Sequence, residues 1–152
     1  LDTPDLEDAS RLYQEGAEWM TYTVPSIPQA VAVQALVAPD SVWYVLEAGG
    51  KVVGLGGYER VRWIDRVAEP FIVVDAAHRR NGMGEALGRK VVEMGLNTLN
   101  LRRISTVVLE DSPSKHILDK CGFKCEGRMV GMRMRGGQPK DGLAYALVKE
   151  SK

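Results

Sequence analysis

The segment that most constrains the fold is the run Phe71-Ile72-Val73-Val74 followed by His78-Arg79-Arg80-Asn81-Gly82-Met83-Gly84. Four consecutive apolar residues predict a strand buried on both faces, extending over roughly Val67 to Val74. Met83, Leu87, Val91 and Met94 then recur at helical spacing, so a helix begins near Gly82. At such a strand-to-helix turn the first N–H groups of the helix are free to bind an anion. Gly82 and Gly84 remove side chains that would block its approach. The turn lacks the Gly-Lys-Ser or Gly-Lys-Thr of a nucleotide P-loop, and its single Gly-x-Gly is incomplete as a dinucleotide fingerprint. A pyrophosphate of another kind is the expected ligand.

The elements around this turn follow from periodicity and punctuation. Thr3, Pro4 and Asp5 make a helix start, after which Leu6, Ala9, Tyr13, Ala17 and Met20 share a face. Ser26 and Gln29 have the spacing of a capping box, opening a second helix that runs through Val31 and Ala35 until Pro39 stops it. Val42 to Val45 favour a strand, and Gly49-Gly50 turns it back into Lys51-Val52-Val53. Gly54, Gly56 and Gly57 interrupt that second strand with a bulge or a close backbone approach before it resumes around Tyr58 to Trp63. Beyond the central helix, Arg103 to Leu109 reads as a strand ending in Glu110-Asp111, and a short helix spans about Ser112 to Lys120. Two β-prone stretches, near Phe123 to Arg135 and Leu143 to Lys149, are joined through Gly136-Gly137 and Asp141-Gly142. The order ααβββαβαββ describes an α+β fold, a mixed and mostly antiparallel sheet flanked by helices with one internal parallel crossover.

Residues 1–152, 45% apolar and without repeats or linkers, are expected to form a single domain around one core. Twenty basic against twenty acidic residues leave no net charge to steer nucleic acid or an anionic membrane, so neither is an expected partner. No apolar run reaches the roughly eighteen residues of a membrane span, and no signal segment opens the chain, which points to the cytoplasm. The chain starts at Leu1 rather than Met, as a trimmed or processed product would. Cys121 and Cys125 lack the companions of a zinc site and read as reduced packing residues, so no metal is expected. Trp43, Trp63 and the methionines read as core, and His78 and His116 as surface residues.

Arg79-x-x-Gly82-x-Gly84 after an apolar strand resembles the acetyl-CoA signature of the GNAT superfamily of N-acetyltransferases. Asp111-x-x-Ser114-x-x-x-Leu118-x-Lys120-Cys121-Gly122-Phe123 is similar to that family's second conserved region, and the order of elements agrees. The tail Gly122 to Arg128, with Asp141 and Tyr145, looks most like the RimJ/RimL branch. The resemblance implies that the turn Arg79, Arg80, Asn81, Gly82, Met83 and Gly84 cradles the CoA pyrophosphate. It also implies that the backbone of Ile72, Val73 and Val74 pairs with pantetheine and that a backbone N–H near Val73 or Val74 polarises the thioester carbonyl. The acceptor would be a primary amine, on a protein N-terminus, a lysine or a small molecule, and relatives commonly form homodimers.

Acetyl transfer needs a neutral amine, a polarised carbonyl and a proton for the departing thiolate. Glu69, ten residues before Arg79, is the favoured base, with Glu110 and Asp111 as rivals. In many relatives the thiolate's donor is a tyrosine at the position occupied here by Leu118, so water, Ser114, His116 or Tyr145 must substitute, or the domain binds acyl-CoA with little turnover. A third reading is an unrelated α+β binding domain. No residue is marked as an acyl carrier, since Cys121 reads as packing, which favours direct transfer in a ternary complex.

Overall fold

The computed structural model describes residues 3–17, 29–79 and 81–150. The chain runs α1 (Thr3–Ala17), α2 (Gln29–Val37), β1 (Val42–Ala48), β2 (Lys51–Arg62), β3 (Val67–Val74), α3 (Met83–Glu93), β4 (Arg103–Leu109), α4 (Ser114–Lys120), β5 (Lys124–Arg135) and β6 (Gln138–Val148). This is the order expected from the sequence. Met20 and the capping residue Ser26 lie outside the described residues.

The six strands form one sheet in the order β1-β2-β3-β4-β6-β5, antiparallel except between β3 and β4. Strand alternation sends side chains to two cores. On one face Phe71, Val73 and Leu55 meet Ala9, Leu12 and Tyr13 of α1 and Ala32 and Leu36 of α2. On the other, Tyr58, Val74, Ile104 and Leu143 meet Leu87 and Val91 of α3 and Leu118 of α4.

The feature that shapes the site is the meeting of β3 and β4. Only Val67 with Arg103 and Ala68 with Ile104 are paired, and the root is closed by the Arg102 N–H donating to the Arg66 carbonyl (2.8 Å). Beyond it the two parallel strands diverge into a fork. Pro70 fits this arrangement. In an antiparallel ladder alternate residues bond to alternate sides, and the bond from the Asp75 N–H to the Val53 carbonyl (2.7 Å) sets the phase. Residues 69, 71 and 73 therefore bond to β2, while 70, 72 and 74 face the fork. A proline that cannot donate thus stands where no ladder partner waits.

The glycines of the second strand mark both a bulge and a close approach: β2 runs unbroken, but its register with β1 shifts beside Gly54, where Leu46 pairs with Gly54 and Glu47 with Val52, and a further shift against β3 lies between Glu59 and Arg62. Gly54 and Gly56 admit α3, since a Cβ on Gly56 would lie 2.7 Å from Val91, and Gly57 lets β1 come close. Two sequence expectations are corrected. Asp141-Gly142 is not a turn but part of β6, and the hairpin turns at Gly136-Gly137 alone. The Asp141 carboxylate accepts the Gly131 N–H (2.9 Å) and pairs with Arg128 (2.8 Å), pinning a two-residue bulge in β5 between Met129 and Arg133. Finally, Trp63 is half exposed beside the β2–β3 turn, and Met129 and Met134 are exposed on β5, whereas Trp43 does join the core, edge-on to Tyr13 and Phe71.

Candidate active site

The turn after β3 has the form of an anion site. Gly82 caps α3 at φ 83°, a left-handed conformation that glycine adopts without strain. Asn81 accepts the Met83 N–H through its side chain (3.3 Å), and the first helical bond runs from the Ala86 N–H to the Gly82 carbonyl (3.0 Å). The Gly84 and Glu85 N–H groups precede that bond and point out of the helix end. Glu85, whose charge would oppose an anion here, is engaged by Arg89 (2.9 Å) and Lys120 (3.2 Å); these bonds hold its carboxyl below the usual range.

The bareness of Gly84 serves packing. Its Cβ would approach Ile117 to 3.1 Å and that of Gly88 would approach the same side chain to 3.0 Å, so the two glycines let α4 lie against α3. Arg79 folds back to donate its Nε–H to the Val74 carbonyl (2.9 Å), closing the end of β3. Arg80 lies outside the described residues. His78 is half-buried rather than on the surface, in the tight turn Ala76–His78, and His116 is exposed.

Inside the fork, Ile72 and Val74 present backbone groups toward β4. Val73 turns its own to Leu55 and its side chain to the α1/α2 core, so of the two candidates for the carbonyl-polarising N–H, Val74 faces the fork. Glu69 shares the face of Phe71 and Val73 and lines a cavity of about 400 Å³. Ser105, Arg103, Glu126, Arg60 and Arg133 line it as well. The Glu69 carboxylate pairs with Arg60 (2.5 Å), and Glu126 with Arg103 through two bonds, one of 3.1 Å. The rival carboxylates are committed elsewhere: Glu110 to Arg128 (2.8 Å) and Asp111 to Lys140 (3.9 Å).

Directly across the ladder from Glu69 stands Glu59, only 8% exposed, whose carboxylate accepts the Tyr13 hydroxyl. Burial pushes its pKa above the ordinary 4.5, while the Tyr13 bond opposes the shift. Nothing in the local sequence marks this residue, because its burial depends on a tyrosine far away in α1. A carboxyl that holds its proton more tightly in the folded state stabilises the protein at low pH, and that contribution is lost as pH rises above the unfolded value. Glu59→Gln keeps an acceptor for Tyr13 and removes the titration. Urea melts of this variant should therefore show a flatter decline in stability from pH 5 toward neutrality than wild type. An unchanged slope would place the titrating group elsewhere.

The proton-donor position is filled as the sequence implied. Leu118 is 7% exposed in the α3/α4 core. Tyr145 is raised in pKa chiefly by burial and further by the nearby Asp119 of α4, and Tyr58 gives its hydroxyl to the Val91 carbonyl (2.7 Å). Burial likewise pushes the Cys121 thiol up, away from a nucleophilic thiolate. Among the described residues no group of three His, Cys, Asp or Glu gathers as a metal site, and no helix is long and apolar enough to cross a membrane.

This geometry agrees with the comparisons. Residues 6–123 match the model of the acetyltransferase (GNAT) family. The chain is 33% identical over 100 residues to the uncharacterised N-acetyltransferase YoaA of Bacillus subtilis, covering 65% of this chain and 56% of that one. It is 34% identical over 84 residues to the L-amino acid N-acetyltransferase AaaT of Escherichia coli, covering 55% and 52%. The matched stretch thus spans about half the length of these curated relatives. Among solved structures, a spermidine N-acetyltransferase from Vibrio cholerae in complex with CoA and spermine superposes with a TM-score of 0.83 at 21% identity, over 97% of this chain and 92% of that one. The family model covers most of the chain, from α1 through α4 to Phe123, and with the forked sheet and glycine-capped helix it establishes that this chain belongs to the GNAT family of acetyltransferases.

Proposed function

We propose that this chain transfers the acetyl group of acetyl-CoA to a primary amine by direct transfer in a ternary complex. The observation that carries the reading is the fork between β3 and β4, with Glu69 and its cavity at the root and the open N-terminus of α3 past the end of β3. The residues fit the cosubstrate. Gly82, Met83 and Gly84, with Asn81 bracing the turn and Arg79 and Arg80 beside it, offer N–H groups and positive charge to a pyrophosphate. The backbones of Ile72 and Val74 offer amide partners to an extended pantetheine arm, with Val73 between them fixing the strand to β2. When bound, acetyl-CoA supplies an activated acyl carbon and a thiolate leaving group.

The protein's own tasks are then proton management and charge stabilisation. Glu69 takes the proton from the acceptor ammonium through a relay of waters, since five residues of extended strand, about 16 Å, part it from the Val74 N–H, while Arg60 orients its carboxylate. The Val74 N–H faces the region where negative charge develops on the carbonyl oxygen. With Leu118 unable to donate, the departing sulfur takes its proton from water or from Ser114 at the start of α4. The RimJ/RimL likeness of Gly122 to Arg128 falls on the α4–β5 turn and the start of β5. There Arg128 helps to pin the hairpin, while Glu126 stands in the cavity wall paired with Arg103.

Thermal melting with acetyl-CoA, followed by thiol release on adding amines, tests the proposal. At a hundred times its dissociation constant the cosubstrate should stabilise the fold by about 2.7 kcal/mol. A clear shift with amine-dependent thiol release is the expected result. No shift would overturn the cofactor assignment, and a shift without release from any amine would favour an acyl-CoA-binding module.

A further inference from the structure

We infer that the acceptor carries a carboxylate beside its amine and that Arg133 is the anchor for it, an inference that rests on the acetyl-transfer reading above. Three arginines, Arg60, Arg103 and Arg133, line the cavity against two glutamates, Glu69 and Glu126. Arg60 pairs with Glu69 and Arg103 with Glu126, so each glutamate already has its counter-charge within the wall. Arg133 is different. Among the described residues no ion pair engages it, and its Nε is buried without a hydrogen-bond acceptor. A desolvated guanidinium N–H without an acceptor is unfavourable, and a ligand oxyanion is the partner whose planar geometry it fits best.

The position of Arg133 is built rather than incidental. Two extra residues in β5 form the bulge between Met129 and Arg133, held by the Asp141 carboxylate on the Gly131 N–H. A bulge of this kind re-aims the side chains that follow it. Here Met132 lies against Gly142, where a Cβ would come within 2.7 Å of its sulfur, and Arg133 follows as part of the cavity wall. Met132, Val107 and Ala144 supply an apolar part of the same wall. An amine with an adjacent carboxylate and an apolar side chain, as in an α-amino acid, would give Glu69 its proton donor and Arg133 its anion. A polyamine would bring further positive charge to a cavity that already has an excess of it.

The test compares L-methionine, L-leucine and L-phenylalanine with their amides and with spermidine. Each is titrated calorimetrically into the whole protein saturated with CoA, so that binding is read without turnover, and is then assayed for thiol release with acetyl-CoA. At least one acid should bind about tenfold more tightly than its amide. Arg133→Gln should erase that advantage through KM, leaving kcat, the amide's binding and the melting temperature close to wild type. Spermidine or the amides binding as well as the acids would overturn the inference, as would failure of all three acids to bind or an advantage that survives Arg133→Gln. Because turnover of the amides and of spermidine is read beside binding of the acids, failure of the acceptor class is distinguishable from failure of the transferase reading.

Discussion

Replacing Glu69 by Gln is expected to lower kcat/KM by about 10²- to 10⁴-fold at saturating acetyl-CoA, the range typical of removing a general base. The substitution keeps the size of the side chain and an oxygen for Arg60, and the site is half exposed, so melting should move little. The loss should shrink as pH is raised, because a larger fraction of the acceptor amine is then already neutral. Stabilisation by acetyl-CoA should persist, since the helix end and the fork are untouched. Activity within a few-fold of wild type would move the role to another group. The foremost is Glu59, opposite on the ladder, whose raised pKa suits a base but whose carboxylate is occupied by Tyr13.

The largest expected effect on stability comes from Gly57→Ala. A Cβ at this position would stand 2.1 Å from the Val42 carbonyl oxygen and 2.9 Å from the Trp43 Cα. Both obstacles are backbone, so no rotamer change relieves them and β1 must move away from β2. A loss of about 3 kcal/mol, the upper end of ordinary overpacking penalties, should appear as a lower urea midpoint. Displacement of Trp43 would also loosen its edge-on contacts with Tyr13 and Phe71, and with them the bond that Tyr13 gives to Glu59. Gly127→Ala is the control, because a Cβ there meets open space, and it should change stability by less than about 0.5 kcal/mol. Equal midpoints for the two variants would mean that the strand pair tolerates the shift.

What the sequence made legible was whatever depends on neighbours along the chain. The apolar run 71–74, the helical period beginning at Met83 and the turn at Gly136-Gly137 each carry their own cause, and the order of elements followed from them. What escaped depends on partners distant in sequence. Glu59 lies in an ordinary alternating stretch, and only Tyr13 and the register with Glu69 distinguish it. Asp141-Gly142 has the composition of a turn, yet Gly142 serves the approach of Met132 and Val107, and Asp141 braces a bulge on the adjoining strand. Gly84, read as making room for a ligand, makes room for Ile117. Arg133 carried no signal in the sequence, because a bulge in the ladder decides where it points.

The fork also bears on how open strand edges within the sheet are guarded. Two strands that part company in the middle of a sheet create a pair of inner edges, each a row of backbone groups of the kind that recruits strands from other molecules. Here the gap tapers to the two paired residues at its root, too narrow near that end for an invading strand, and Pro70 removes a donor just beyond it. The edges are left open only toward the mouth. The opening proposed for a cosubstrate is thus narrowed at its root against an added strand, and mutations that widen the root should reveal themselves first as aggregation rather than as lost turnover.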